Sequence, residues 1–129
     1  MLAGSAENIL EKAHKCLLIN LPPDIHMRIV KKVDVHKFIQ GIEQTTILMS
    51  QHSLFRLHTN LRNIYKVESL QEMIARERPV FVGLQVNGLY AVYYAQQDGY
   101  LKIIMDIQVM KLIVVTLYIV EKNQLPRIK

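Results

Sequence analysis

Apolar positions recur at helical spacing through the first part of this chain and at alternate positions through the second. Ala6, Ile9, Leu10, Ala13, Cys16 and Leu17 fall three or four apart behind Ser5, which predicts a capped amphipathic helix over residues 6–18. Asn20-Leu21-Pro22-Pro23 ends it, since a proline cannot donate into a helix and pushes its predecessor out of helical geometry. Asp24 and Asp34 read as further caps, predicting short helices through Lys32 and again from Val35 to Ile42, with Gly41 near the end.

A short strand over residues 45–49 then leads to Ser50, the cap of a helix over residues 51–63. Leu54, Leu57, Leu61 and Ile64 make its inward stripe, with His58 at the edge of that stripe. His52, Arg56, Thr59, Asn60 and Asn63 make the outward one. A further helix over residues 68–78 turns Leu70, Met73, Ile74 and Ala75 inward and closes at Pro79.

From residue 80 onward the pattern is that of strands. Runs 80–86, 89–95, 100–107 and 112–120 are separated by the turn pairs Asn87-Gly88 and Asp98-Gly99, and by Gln108 to Lys111, which lacks Gly or Pro. In the last run, one parity (Ile113, Val115, Leu117, Ile119) is wholly apolar. The other sets Thr116 and Tyr118 side by side on the opposite sheet face. A run this apolar on both sides predicts a central strand. The order predicts an α+β fold, with N-terminal helices on one face of a four- to five-stranded, mainly antiparallel sheet and the 45–49 strand at an edge. Residues 1–129 read as one domain. In it, 1–44 is a helical N-terminal elaboration, 45–120 the α+β core and 121–129 a surface tail.

Composition narrows the classes. A chain of 129 residues can bury one core. Its longest apolar run, Leu112 to Val120, is nine residues, too short for a membrane-spanning helix. Met1 to Ser5 lacks the basic-then-apolar start of a secretory signal. A single cysteine, Cys16, excludes an internal disulfide and a cysteine zinc site. A cytoplasmic protein with no membrane association is expected. Sixteen Lys and Arg against eleven Asp and Glu leave a charge of +5, a mild bias toward anionic partners.

Three groups of residues could carry chemistry. His52 stands in the first turn of its helix, where the helix dipole favours the neutral imidazole that a general base requires. Arg56 follows one turn later on the same side, and its fork of donors suits a phosphate. The same spacing also fits a solvated surface pair. Thr116 and Tyr118 offer two hydroxyls on one sheet face, although both residue types favour strands for their own sake. Tyr90, Tyr94, Tyr100 and Lys102 could form an aromatic and cationic face for single-stranded RNA, or pack against the helices. His14, His26, His36 and His58 show no metal-ligand spacing, and Asp106 has no carboxylate partner, so metal and two-carboxylate chemistry lack support. No phosphate-binding glycine loop or serine-nucleophile elbow is present.

The run Ile47-Leu48-Met49-Ser50-Gln51-His52-Ser53-Leu54-Phe55-Arg56 resembles a motif of small prokaryotic and phage toxin-like domains. In it a strand leads to Ser/Thr-x-His, with Arg four residues on. It is similar to the Barnase–EndoU–Colicin–RelE group of ribonucleases and to phage endoribonucleases of early messenger RNA. The later order of one helix, four strands and Val-Val-Thr-Leu-Tyr in the last strand is also like that fold, so the resemblance covers residues 45–120. It implies a RelE/barnase-like fold and a metal-independent endoribonuclease without cofactors. RNA is the implied substrate and an antitoxin or inhibitor protein the implied partner. His52 would be acid or base, Arg56 a phosphate clamp, Thr116 a phosphate or oxyanion donor, and Tyr118 an acid or stacking group. Lys102, Tyr100 and Asn60 join them as RNA-binding candidates by position alone. One departure matters: the phage enzymes carry a second histidine in the next helix, and residues 68–78 here contain none. The alternative is a non-catalytic protein-interaction or RNA-binding module on the same fold.

Overall fold

The computed structural model describes residues 27–61 and 65–126. The expected helix over 6–18, Cys16, His14, His26 and the ends of the inward and outward stripes at Ile64 and Asn63 lie outside the described residues. The elements are β1 (Ile29–Lys32), α1 (Val35–Ile42), β2 (Thr46–Met49), α2 (Gln51–Asn60), α3 (Val67–Arg76), β3 (Phe81–Gln85), β4 (Tyr90–Ala95), β5 (Gly99–Gln108) and β6 (Lys111–Glu121). A short 3-10 turn, Lys122–Gln124, follows.

The helices begin where side chains can occupy their unpaired amides. Asp34 Oδ1 accepts from Lys37 N–H at 3.0 Å, and the same contact holds its carboxyl below the usual aspartate value. Ser50 Oγ accepts from Ser53 N–H at 3.0 Å. At α3, Ser69 Oγ accepts from the Lys66 amide at 3.0 Å, with Glu68 in the first turn and Arg76 in the last, as the helix dipole favours.

All six strands join one sheet in the order β1-β3-β4-β5-β6-β2. Neighbours are antiparallel except β2, which runs parallel to β6 at the edge. The sheet is therefore mixed and one strand wider than expected. The extra strand is β1, in the segment expected to be helical. Three of its four residues are exposed, so no apolar face advertised it. Its extended state comes from pairing with β3, flanked by Val33 N–H to Val82 O and Val86 N–H to Arg28 O bonds. β6 is not enclosed along its whole length, because β2 pairs only with its first four residues.

The turn at Asn87-Gly88 forms as the residues require. Gly88 takes φ 88°, and Asn87 Oδ1 accepts from Leu89 N–H at 3.1 Å. The β5–β6 turn has no glycine, and Met110 itself adopts φ 68°, a conformation unfavourable for a side chain-bearing residue.

Every described α-helix packs on one face of the sheet, and Leu125, just past the 3-10 turn, packs on the other. Phe38 and Ile42 of α1, Leu57 of α2, Leu61 just beyond it, and Leu70 and Ile74 of α3 meet Val82, Val92, Tyr94, Leu101, Ile103, Met105, Leu112, Val114 and Leu117. Ala75 and His58, expected at or near the buried stripes, are exposed. The expected parity of β6 also changes partway along. Ile104 pairs with Thr116 but Met105 pairs with Val114, so Val115 is an extra residue in a bulge. Leu112, Val114 and Leu117 therefore face the helices, whereas Val115 belongs with Tyr118 and Val120 on the second face. Thr116 and Tyr118 keep the side expected of them. The alternation fails at residue 115 because a bulge shifts the strand by one.

Candidate functional site

The beginning of α2 is fastened to β6 at the end of its pairing with β2 and just beyond it. Ser50 N–H donates to Val114 O at 3.0 Å, and Ser50 Oγ donates to Val115 O at 2.8 Å while accepting from Ser53. One turn on, Arg56 Nε donates to Leu117 O at 2.8 Å. Two side chains of the Ser-x-His-x-x-x-Arg run thus take the place of a neighbouring strand and satisfy edge carbonyls that would otherwise face a helix. The chemistry-bearing helix start is thereby fixed against the sheet.

Arg56 does a second thing. Its guanidinium passes around the β6 edge and sits 5.5 Å from the centroid of the Tyr118 ring, on the face that no described α-helix covers. Only Nε is engaged, and among the described residues the two terminal amino groups form no hydrogen bond or ion pair.

From Tyr118 a row of side chains crosses the sheet. Tyr118 pairs with Lys102, Lys102 with Tyr93 and Tyr93 with Phe81. Lys102 Nζ stands 5.6 Å from the Tyr93 ring centroid and 5.7 Å from that of Tyr118. Tyr93 meets Phe81 edge to face at 5.8 Å, and Lys32 Nζ lies 5.9 Å from Phe81. The sequence Lys32, Phe81, Tyr93, Lys102, Tyr118, Arg56 therefore alternates cations and rings from one sheet edge to the other. Each cation–ring contact contributes roughly 0.5–2 kcal/mol, more as it is drier. The neighbouring row is Gly83, Ala91, Ile104 and Thr116; in the aromatic row Phe81 and Tyr93 are buried, while Lys102 and Tyr118 are half-buried.

The environment tunes these groups. Burial, and then the nearby Arg56 charge, hold the His52 imidazole below its ordinary value of 6.5, so it is neutral at neutral pH. Burial lowers the Lys102 ammonium from its ordinary 10.5. Burial, reinforced by the Tyr118 neighbour, pushes the Tyr93 phenol up to about 12, and burial raises Tyr118 against the opposing pull of Arg56.

Of the residues singled out in the sequence, Arg56, Tyr118 and Lys102 come together at one end of this row, and His52 lies one helical turn before Arg56, near enough to feel its charge. Tyr100 lies beside them, half-buried on the same face, one row along β5. Thr116 shares the face but is only 2 % exposed, so it belongs to the floor and not to the contact surface. Asn60 continues the His52–Arg56 stripe to the exposed end of α2. Tyr90 and Tyr94 do not belong to the aromatic face. They pack toward the helices, and Tyr94 is fully buried there. Tyr93, which lies between them, is the ring that faces Lys102. Alternation placed Tyr93 opposite Tyr94, but only the helix packing shows which side is covered.

Among the described residues, no group of three or more His, Cys, Asp or Glu could hold a metal ion, and no helix is long and apolar enough to cross a membrane. Asp106 accepts from Gln108 Nε2 at 2.9 Å and stands apart from the His52–Arg56 end. Comparison with protein-family models, with curated proteins and with solved structures finds no match to this chain. The site is thus defined by geometry alone: an α+β protein in which the sheet face that no described α-helix covers carries a cation–aromatic row, its Phe81 and Tyr93 buried, ending at the helix-borne Arg56.

Proposed function

We propose that the chain is a metal-independent endoribonuclease of the toxin or phage-regulator type, with a RelE/barnase-like fold, acting on single-stranded RNA in the cytoplasm. The observation that carries this reading is the meeting of Arg56 and Lys102 on the Tyr118 ring at the β6 edge, with His52 one helical turn from Arg56. A neutral imidazole is the base that a ribose 2′-hydroxyl needs, and the two free amino groups of Arg56 suit the non-bridging oxygens of the phosphate it attacks. Tyr118 and Tyr100, half-buried and not sealed, offer ring surface for an unpaired base. Attack by the 2′-oxygen on the adjacent phosphorus would leave a 2′,3′-cyclic phosphate and a 5′-hydroxyl. An inhibitor or antitoxin protein covering this face would silence the activity.

The test is incubation of the purified protein with labelled single-stranded RNA in EDTA, beside the same RNA carrying 2′-deoxyribose throughout. Cleavage of the first alone, ending in cyclic phosphate, is expected. His52→Ala lowers the rate by roughly 10²–10⁴-fold, the usual contribution of a positioned base. Undiminished cleavage by that variant removes His52 from the mechanism. The same row, with its missing second histidine, also favours a binding module. Retention of RNA by the protein with no cleavage under any condition establishes that reading instead.

A further inference from the structure

We propose that Arg56 and Gln124 hold the β6 edge closed against a second copy of this chain, and that the stretch from Leu117 to Glu121 becomes a two-fold pairing surface once they are removed. The proposal goes beyond the ribonuclease reading and does not depend on it.

β2 pairs with β6 only as far as Val114, so the rest of that strand is a sheet edge among the described residues. An open edge presents unpaired N–H and C=O groups and serves as a template for another strand. Here side chains meet those groups one by one. Ser50 Oγ donates to Val115 O and Arg56 Nε to Leu117 O, each at 2.8 Å. At the far end Gln124 Oε1, from the 3-10 turn, accepts from Glu121 N–H at 2.8 Å. Backbone groups two residues apart in a strand point to the same side, so Leu117, Ile119 and Glu121 all turn theirs away from β5. Ile119 lies midway between the two caps. Among the described residues, neither its N–H nor its C=O has a side-chain or loop partner.

The spacing of the caps fits one occupant. Leu117 and Glu121 stand two residues on either side of Ile119. When two copies pair antiparallel about a two-fold axis at Ile119, each Ile119 N–H meets the Ile119 C=O of the other copy. On both sides of the axis, Leu117 C=O then meets the Glu121 N–H of the other copy. That acceptor and that donor are the groups which Arg56 and Gln124 occupy within the chain. A strand of unrelated sequence would leave this symmetry without a reason. The side chains agree with the register. Ile119 is 42 % exposed, and the pairing sets it directly opposite its own copy, where an apolar pair stabilises a sheet. Ser50 and the start of α2 stand at Val115, so the surface ends at Leu117.

Arg56→Met keeps an apolar stem beside Tyr118 but offers Leu117 no donor, and Gln124→Ala frees the Glu121 amide. Wild type, both single variants and the double variant are compared by sedimentation and light scattering over a range of protein concentrations, with circular dichroism to verify folding. The expected wild type stays at the mass of one chain, whereas the double variant rises to twice that mass with concentration. Gln124→Ala alone, on an exposed turn, should dimerise at higher concentration than the double variant. Adding Ile119→Lys to the double variant sets like charges opposite each other and should return it to a monomer. A folded double variant that stays monomeric at every concentration overturns the proposal. So does a dimer that Ile119→Lys leaves intact, since another surface then holds it, and so does a wild type that is already dimeric. If the double variant fails to fold, Gln124→Ala decides alone, and a monomer at every concentration overturns the assignment. Each of these outcomes is read without RNA, so failure here leaves the ribonuclease reading standing.

Discussion

The two faces of the sheet are built from the same strands by opposite rules. On the helix side, Leu101, Ile103, Met105, Leu112, Val114 and Leu117 are sealed beneath three helices, and Tyr94 is the chief polar-tipped side chain among them. On the other side, Lys102 occupies a central strand between two tyrosines, Arg56 reaches around the edge, and no described helix covers them. The first face is what folding needs. The second holds a partly desolvated cation that has no carboxylate partner among the described residues, which serves folding poorly and suits an anionic ligand well.

That contrast can be broken at several points. His52→Ala carries the largest expected effect, on RNA cleavage, and should leave the melting temperature near that of wild type because the Ser50 cap remains. Ile103→Ala on the covered face is next. It should lower stability by about 2–5 kcal/mol in chemical denaturation, the range for emptying a sealed aliphatic site.

The pH dependence of cleavage sharpens the comparison. With His52 below its ordinary 6.5, the neutral base persists to lower pH, so the acidic limb of the rate profile should fall below 6.5. With Lys102 below its ordinary 10.5, the ammonium is lost earlier as pH rises, so the alkaline limb should fall below 10.5. The groups facing that amine are Tyr93 of β4 and Tyr118 of β6, with Arg56 of α2 across the Tyr118 ring; both phenols are raised by burial. An alkaline limb at or above 10.5 would separate Lys102 from the profile.

Lys102→Met should stabilise the fold by about 0.5–1 kcal/mol at neutral pH while weakening RNA binding, the inverse of the Ile103 result. The sign follows from linkage. Lys102 has a depressed folded value, so between that value and 10.5 the unfolded chain binds more protons and stability rises with pH. The variant should lose that rise, as denaturation at successive pH values would record. Smallest of all, Met110→Gly relieves the left-handed backbone of an exposed turn remote from both faces. It should add about 0.5–1 kcal/mol to stability and leave cleavage unchanged.

Local chemistry was legible wherever it acts within a few residues. Ser50 caps α2 as expected, Asn87-Gly88 turns a hairpin, and residues four apart in α2 set His52 and Arg56 on one stripe. β1 was illegible because Ile29–Lys32 has no buried face of its own and becomes a strand only beside β3. The structural duty of Arg56 was equally hidden, since its acceptor, Leu117 O, lies 61 residues away.

The chain alone determined the element types from residue 35 onward, the α+β class and the pairing of an imidazole with a guanidinium, since helix period, strand period and capping are properties of neighbours in sequence. Only the tertiary structure decided which tyrosines stand with Lys102, because alternation divides a strand into two sides without saying which one the helices will cover. It also decided where that alternation breaks, at the bulge of Val115, and that Arg56 closes a sheet edge before it meets any ligand. Those outcomes depend on strand order and register, which arise from contacts between distant parts of the chain as the core closes.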